Sequence, residues 1–159
     1  MEMTFSRKFL NVAGILDYIM GSLTLLLGIL VTGAGIYVIK TPELVQEMPS
    51  YFGDYTVIIF GAILAVSAIL SLVYAHLERA AAKDPTKIMP VWVLSILSLV
   101  LEAGSLIHSL VNHVAVSSLK SNFTGLAISI LIFVVANNIR KEANNIKKEA
   151  GNIKKEAGK

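Results

Sequence analysis

Between residues 10 and 139 the chain carries four apolar runs, roughly 10–39, 56–77, 91–113 and 123–139, separated by short polar connections. An α-helix rises 1.5 Å per residue and a bilayer's hydrocarbon layer is about 30 Å thick, so about 20 mostly apolar residues suffice to cross it. Each run is too long for an ordinary core helix. Together they use most of the 159 residues and leave no room for a separate soluble domain. The expected fold is therefore all-α: a polytopic membrane four-helix bundle over residues 1–139, its fourth helix extended into a basic heptad-repeat tail over 140–159. A mean hydropathy of +0.69 agrees. The first run lacks the short apolar core and small-residue cleavage site of a secretory leader, and is expected to be retained.

Charge gives the orientation. Arg7 and Lys8 precede the first run, Arg79, Lys83 and Lys87 lie between the second and third, and seven more basic residues follow from Arg140 onward. The other connections hold Lys40 and Lys120 alone, so twelve of the fourteen Lys and Arg fall on one side. By the positive-inside rule both termini are cytoplasmic, in a multi-pass protein of the cell membrane. The net charge of +3 thus reports orientation, and nucleic acid is not an expected partner.

The chemistry available is narrow. Cysteine is absent, which removes disulfides and thiolate catalysis. No phosphate-binding glycine loop, no GxSxG and no HExxH occurs, so neither an enzyme nor a metal or cofactor site is expected.

What the runs do contain is a set of seams. Glycines 14, 21, 28 and 35 recur every seven residues in the first run, with Asp17, Thr24 and Val31 between them on the same helical face. Gly61, Ala65, Ala68 and Ala75 form a similar stripe in the second, interrupted by Leu72. Small residues let helix backbones approach closely, and in lipid such packing drives association, because hydrophobicity favours no helix pair over the tails.

The third run has a polar stripe: Ser95, Ser98, Glu102, Ser105, Ser109 and Asn112 at steps of three and four. A polar row is expected to face protein or a water-filled gap. Glu102 near its middle is costly in a membrane and so a functional candidate. No Lys or Arg lies inside a run to pair with it, which makes the protonated form the cheaper one. Two roles stay open. Glu102 joins Ser98, Ser105 and Asp17 in a structural hydrogen-bond network, or it is a proton or cation site with Ser98, Ser105 and Ser109 lining the route. His113 shares its face about 16 Å further out, and His108 is turned about 120° away, so no compact metal site is expected.

The connections carry local signals. Thr41-Pro42-Glu43 is a helix start, with Leu44, Val45 and Met48 toward lipid or the bundle. Tyr37, Tyr51, Phe52 and Tyr55 fit an outer aromatic belt, and Tyr74 and Trp92 an inner one. Asp84-Pro85 ends the helix leaving the second run. His76 and Glu78 read as a solvated pair, and Asn122, closing the loop "VSSLKSN", as the cap of the last helix.

Residues 137–157, "NNIRKEANNIKKEAGNIKKEA", are three near-identical heptads. Ile139, Ala143, Ile146, Ala150, Ile153 and Ala157 continue in phase the Gly125, Ser129, Ile132 and Ala136 stripe, so run and tail are expected to form one helix of about 35 residues. With alanine at a and isoleucine at d, lysine or arginine falls at e and glutamate at g, the arrangement for charge pairs between parallel helices. A coiled coil, a solvated extension and a helix on anionic lipid through Lys147, Lys148, Lys154 and Lys155 all fit.

"FSRKFLNVAGILDYIMGSL" at the start and "VVANNIRKEAN" after the last run resemble a loose group of uncharacterised small four-span membrane proteins of Gram-positive bacteria. The resemblance implies a bacterial cytoplasmic membrane and no particular activity. Small multidrug exporters share four spans and one membrane glutamate, but place it in the first span of a shorter chain. The expected function is non-enzymatic helix–helix association with itself or a membrane partner; the alternative is a small proton- or cation-coupled transporter or channel using Glu102.

Overall fold

The computed structural model describes residues 3–41, 55–112 and 116–157, and these are helical almost throughout. Helix α1 spans Phe5–Lys40, α2 Thr56–Lys83, α3 Met89–Val111 and α4 Val116–Ala157, with a 3-10 turn at Pro85–Lys87 between α2 and α3. No strand occurs among the described residues. All four helices are long and apolar enough to cross a membrane. The expected helix after Thr41, with Pro42, Glu43, Leu44, Val45, Met48, Tyr51 and Phe52, lies outside the described residues, as does His113.

The chain divides into two compact units, Gly14–His76 and Met1–Ala13 with Leu77–Lys159. In the first, α1 and α2 pack through backbone. A Cβ built on Gly28 would stand 2.7 Å from the Ala65 nitrogen and 3.0 Å from the Gly61 carbonyl oxygen. One built on Gly61 would collide with Thr32 Oγ1 and stand 2.6 Å from the Thr32 nitrogen. Only hydrogen fits at either place. One turn pair on either side, Gly21 faces Leu72 and Gly35 faces Ile58, at 3.1 and 2.9 Å from the same construction. Gly14, Ala68 and Ala75 are buried and Ala65 is half-buried. The Thr32 hydroxyl donates to its own helix at Gly28 O (2.8 Å), so the contact does not strand that hydroxyl.

The second unit carries most of the buried side chains. Leu10, Ala81, Ala82, Ile88, Val91, Val135, Ala136, Ile139 and Ala143 are all 5% exposed or less. Its chain reversal is built locally. Pro85 cannot continue the hydrogen-bond ladder of α2, and Asp84 turns extended (φ −129°, ψ 100°). Asp84 Oδ1 then accepts from Thr86 Oγ1 (2.7 Å) and Thr86 N (3.1 Å). These two bonds, the hydroxyl's first, hold the Asp84 carboxyl below its usual range. Pro90 follows in the first turn of α3, where its missing N–H costs nothing.

Helix α4 runs unbroken for 42 residues, about 63 Å, from the last apolar run through the repeats. Its buried residues are Ser129, Val135, Ala136, Ile139 and Ala143, so the first heptad belongs to the packed core.

Two local readings of the sequence are corrected. Helix α4 starts at Val116, so Asn122 lies inside it and caps nothing; its Nδ2 donates to Ser109 Oγ on α3 at 2.7 Å. A long-range acceptor has taken over a residue that local chemistry assigns to a cap. Glu78 is not solvated beside His76: α2 continues to Lys83, and Glu78 is 0% exposed within the core. His76, two residues back and so turned away from it, is exposed with Nδ1 3.2 Å from the Tyr18 hydroxyl.

Close backbone approach sets the sign of glycine substitutions. Gly33 has open space where a Cβ would go. Alanine is favoured over glycine within a helix by about 1 kcal/mol, so Gly33→Ala is expected to leave stability unchanged or raise it. Gly28→Ala must push α2 away and is expected to cost about 1–3 kcal/mol despite the same propensity gain. Unfolding of the detergent-solubilised protein followed by circular dichroism compares them; equal midpoints would refute the close contact.

Candidate functional site

Three places gather polar side chains: the seam between α3 and α4, a knot around Arg7, and the repeats.

The α3–α4 seam holds two polar pairs with a carboxyl group between them. Ser98 Oγ and Ser129 Oγ are 3.0 Å apart. One turn further along α3, the Glu102 carboxylate lies in a notch left by Gly125: a Cβ there would be 2.8 Å from Oε2 and 3.1 Å from Oε1. Two turns beyond, Ser109 accepts from Asn122. Ser95 is buried and donates back to Trp92 O (2.8 Å), a bond within its own helix. Glu102 remains half-buried.

The six-residue row does not face inward as a whole. Ser105 is exposed, as are Ser98, despite its contact with Ser129, and Asn112, whose Nδ2 donates to His108 O (2.8 Å) at the end of its own helix. A stripe at steps of three and four marks one side of a straight helix, but a single neighbouring helix covers only part of that side. Ser98, Glu102 and Ser109 therefore share a seam that Ser105 does not join. Asp17 lies half-buried on α1 in the other unit. His108 is exposed, and among the described residues no three His, Asp or Glu side chains converge as metal ligands.

Nothing local in the sequence marks the knot. Arg7, only 7% exposed, donates through Nε to Ala82 O (2.8 Å) and through Nη2 to Lys83 O (2.7 Å). These are carbonyls of the last turn of α2, which have no partner within the helix and carry its negative dipole end. The third edge of the guanidinium, Nη1, reaches Glu142 Oε1 at 3.4 Å, and the other carboxylate oxygen accepts from Thr4 Oγ1 at 3.2 Å. Nearby in the same unit the Arg140 guanidinium stacks 3.8 Å from the centre of the Trp92 ring. In sequence Arg7 is one more basic residue of a charge count, and Glu142 is indistinguishable from Glu149 and Glu156 of the later heptads. Their pairing spans 135 positions, and no local spacing signals it.

Along the repeats exposure rises outward. Ile139 and Ala143 are buried, Ile146 is half-buried, and Ile153 is 65% exposed, with Lys147, Lys148, Lys154 and Lys155 exposed around them. The packing glycines Gly14, Gly21, Gly28, Gly35 and Gly61 with Ala65 all lie in the α1–α2 pair. No protein-family model, no curated protein and no solved structure matches this chain.

Removing Arg7 would leave two helix-end carbonyls and the Glu142 carboxylate without the guanidinium donor. Arg7→Met is expected to lower stability by about 3 kcal/mol, the usual cost of stranding one member of a buried pair. Arg7→Lys should recover less than half of that, since one ammonium cannot present three donors along a planar edge. Unfolding midpoints in detergent check both, and a lysine variant equal to the parent would count against the three-way geometry.

Proposed function

We propose that the protein is a non-enzymatic integral membrane protein, with both termini in the cytoplasm, that acts through helix–helix association with itself or a membrane partner. The observation that carries this reading is the disposal of polar groups. Along the α3–α4 seam Ser98 pairs with Ser129 and Ser109 with Asn122, two bonds between helices of the same chain, and Glu102 lies against Gly125. Outside the seam the helices expose Leu23, Leu27, Ile63, Leu70, Val100 and Leu101, each more than half exposed, as lipid-facing surfaces require. The Arg7 knot supports a common side for the termini. It brings the start of α1, the end of α2 and the tail together, and these are the segments that hold most of the basic residues. Gly104 has open space before it, so another helix can approach α3 there without losing a side-chain contact.

A second reading, a proton- or cation-coupled transporter or channel, draws on one observation: Glu102 is only half-buried, with the exposed Ser105 following it on the same side of α3. Glu102→Gln separates the two, because it keeps the shape of the group in the Gly125 notch and removes its acidic proton. Unchanged assembly in detergent and unchanged ion or proton flux in proteoliposomes is the expected outcome. Lost flux with retained assembly would establish the second reading instead.

A further inference from the structure

We infer that the partner is a second copy of the same chain, joined by a short parallel coiled coil of residues 146–157 that begins where the intramolecular packing of α4 ends. This rests on the membrane reading above and specifies its partner.

The heptad stripe changes role along its length. At Ile139 and Ala143 it is covered by the chain's own core, and Glu142, the first g position, is held by Arg7 and Thr4. Ile146 is half-buried, and beyond it the same face is uncovered: Ala150 is exposed and Ile153 is 65% exposed. Helix α4 carries that face outward without a break, so the outer repeats continue a helix that is already anchored. A surface-lying helix needs a break between span and repeats, and α4 is one continuous helix from Val116 to Ala157. That disfavours anionic lipid as the occupant.

Charge selects the copy and its direction. In the frame with Ala150 at a and Ile146 and Ile153 at d, Glu149 stands at g, and Lys147 and Lys154 at e. In a parallel pair the g side chain meets the e side chain of the partner's next heptad, so Glu149 of each chain meets Lys154 of the other. In an antiparallel pair g meets g and e meets e, which opposes glutamate to glutamate and lysine to lysine. Two copies in one membrane with the same orientation deliver their tails on the same side and in parallel, the one direction the charges accept. Two d-position isoleucines, with alanine at a, are too few to hold free peptides together. Copies confined to one bilayer face each other at a high effective concentration, which offsets that deficit.

The absence of cysteine allows a direct test in the full chain. Single-cysteine variants Ile146→Cys, Ile153→Cys, Asn152→Cys and Lys155→Cys are reconstituted in vesicles of phosphatidylcholine with and without phosphatidylglycerol, then oxidised with copper phenanthroline. The inference expects disulfide dimers at 146 and 153 several-fold above those at 152 and 155, with or without the anionic lipid. It also expects the dimer of the Ile153→Cys variant to be lost on adding Glu149→Lys and regained with Glu149→Lys plus Lys154→Glu. Equal cross-linking at all four positions, or cross-linking that needs phosphatidylglycerol and ignores charge reversal, overturns it. If Ile153→Cys gives no cross-link and the chain still runs as a dimer after deletion of residues 144–159, the coiled coil is overturned while membrane association stands. A chain that is monomeric in both detergent and vesicles removes both.

Discussion

The guanidinium of Arg7 is the point on which the second unit turns. Three segments far apart in sequence meet on its planar edge, and each supplies what the next lacks. The end of α2 offers two carbonyls with no partner in the helix, the tail offers a carboxylate, and the start of α1 brings the cation with five donors in fixed directions. A cation at a helix C-terminus is favourable on its own. Arg7 is buried in a unit whose core includes Leu10, Ala82 and Ile139, where water is a poor substitute donor. There the cation becomes a condition for the packing around it, because the carbonyls at the end of α2 lie beyond the reach of that helix's own N–H groups.

The two units solve the same problem by different chemistry. On the proposed membrane reading, helices in lipid gain nothing from merely hiding apolar surface from the tails, so contact needs either close backbone approach or paired polar groups. The α1–α2 pair uses the first, with Gly28 against Ala65 and Gly61 against Thr32. The α3–α4 pair uses the second, with Ser98 to Ser129 and Ser109 to Asn122. Gly125 joins the two solutions: a missing side chain on α4 makes the space that a carboxylate on α3 occupies.

How far the sequence disclosed this depends on whether the determining interaction is periodic. The helices were legible because apolar length is a bulk property, and the seven-residue glycine spacing was visible because Gly21, Gly28 and Gly35 all meet the same neighbouring helix. The polar row on α3 was legible only in part. Period fixes the angular position of Ser105 as surely as that of Ser98, yet which of them finds a partner depends on where α4 crosses. Asn122 and Glu78 were misread for a related reason. Each sits in a local context, a cap signal or a charged helix end, that long-range packing overrides. Arg7 and Glu142 left no local trace at all.

The knot also explains why one heptad of three differs from the others although the sequence repeats almost without change. Ile139, Ala143 and Glu142 are consumed by the chain's own fold, so the repeat is divided between intramolecular and outward-facing use at the position where Arg7 takes hold. A free tail could slide in register, because heptads so alike offer several equivalent alignments one repeat apart. A tail fixed at Glu142 cannot. In the dimer inferred above, each copy would present Ile146, Glu149, Ile153 and Lys154 at set distances from the packed core, and two copies at equal depth would align the second heptad with the second. Anchoring thus supplies the registry that a near-perfect repeat lacks.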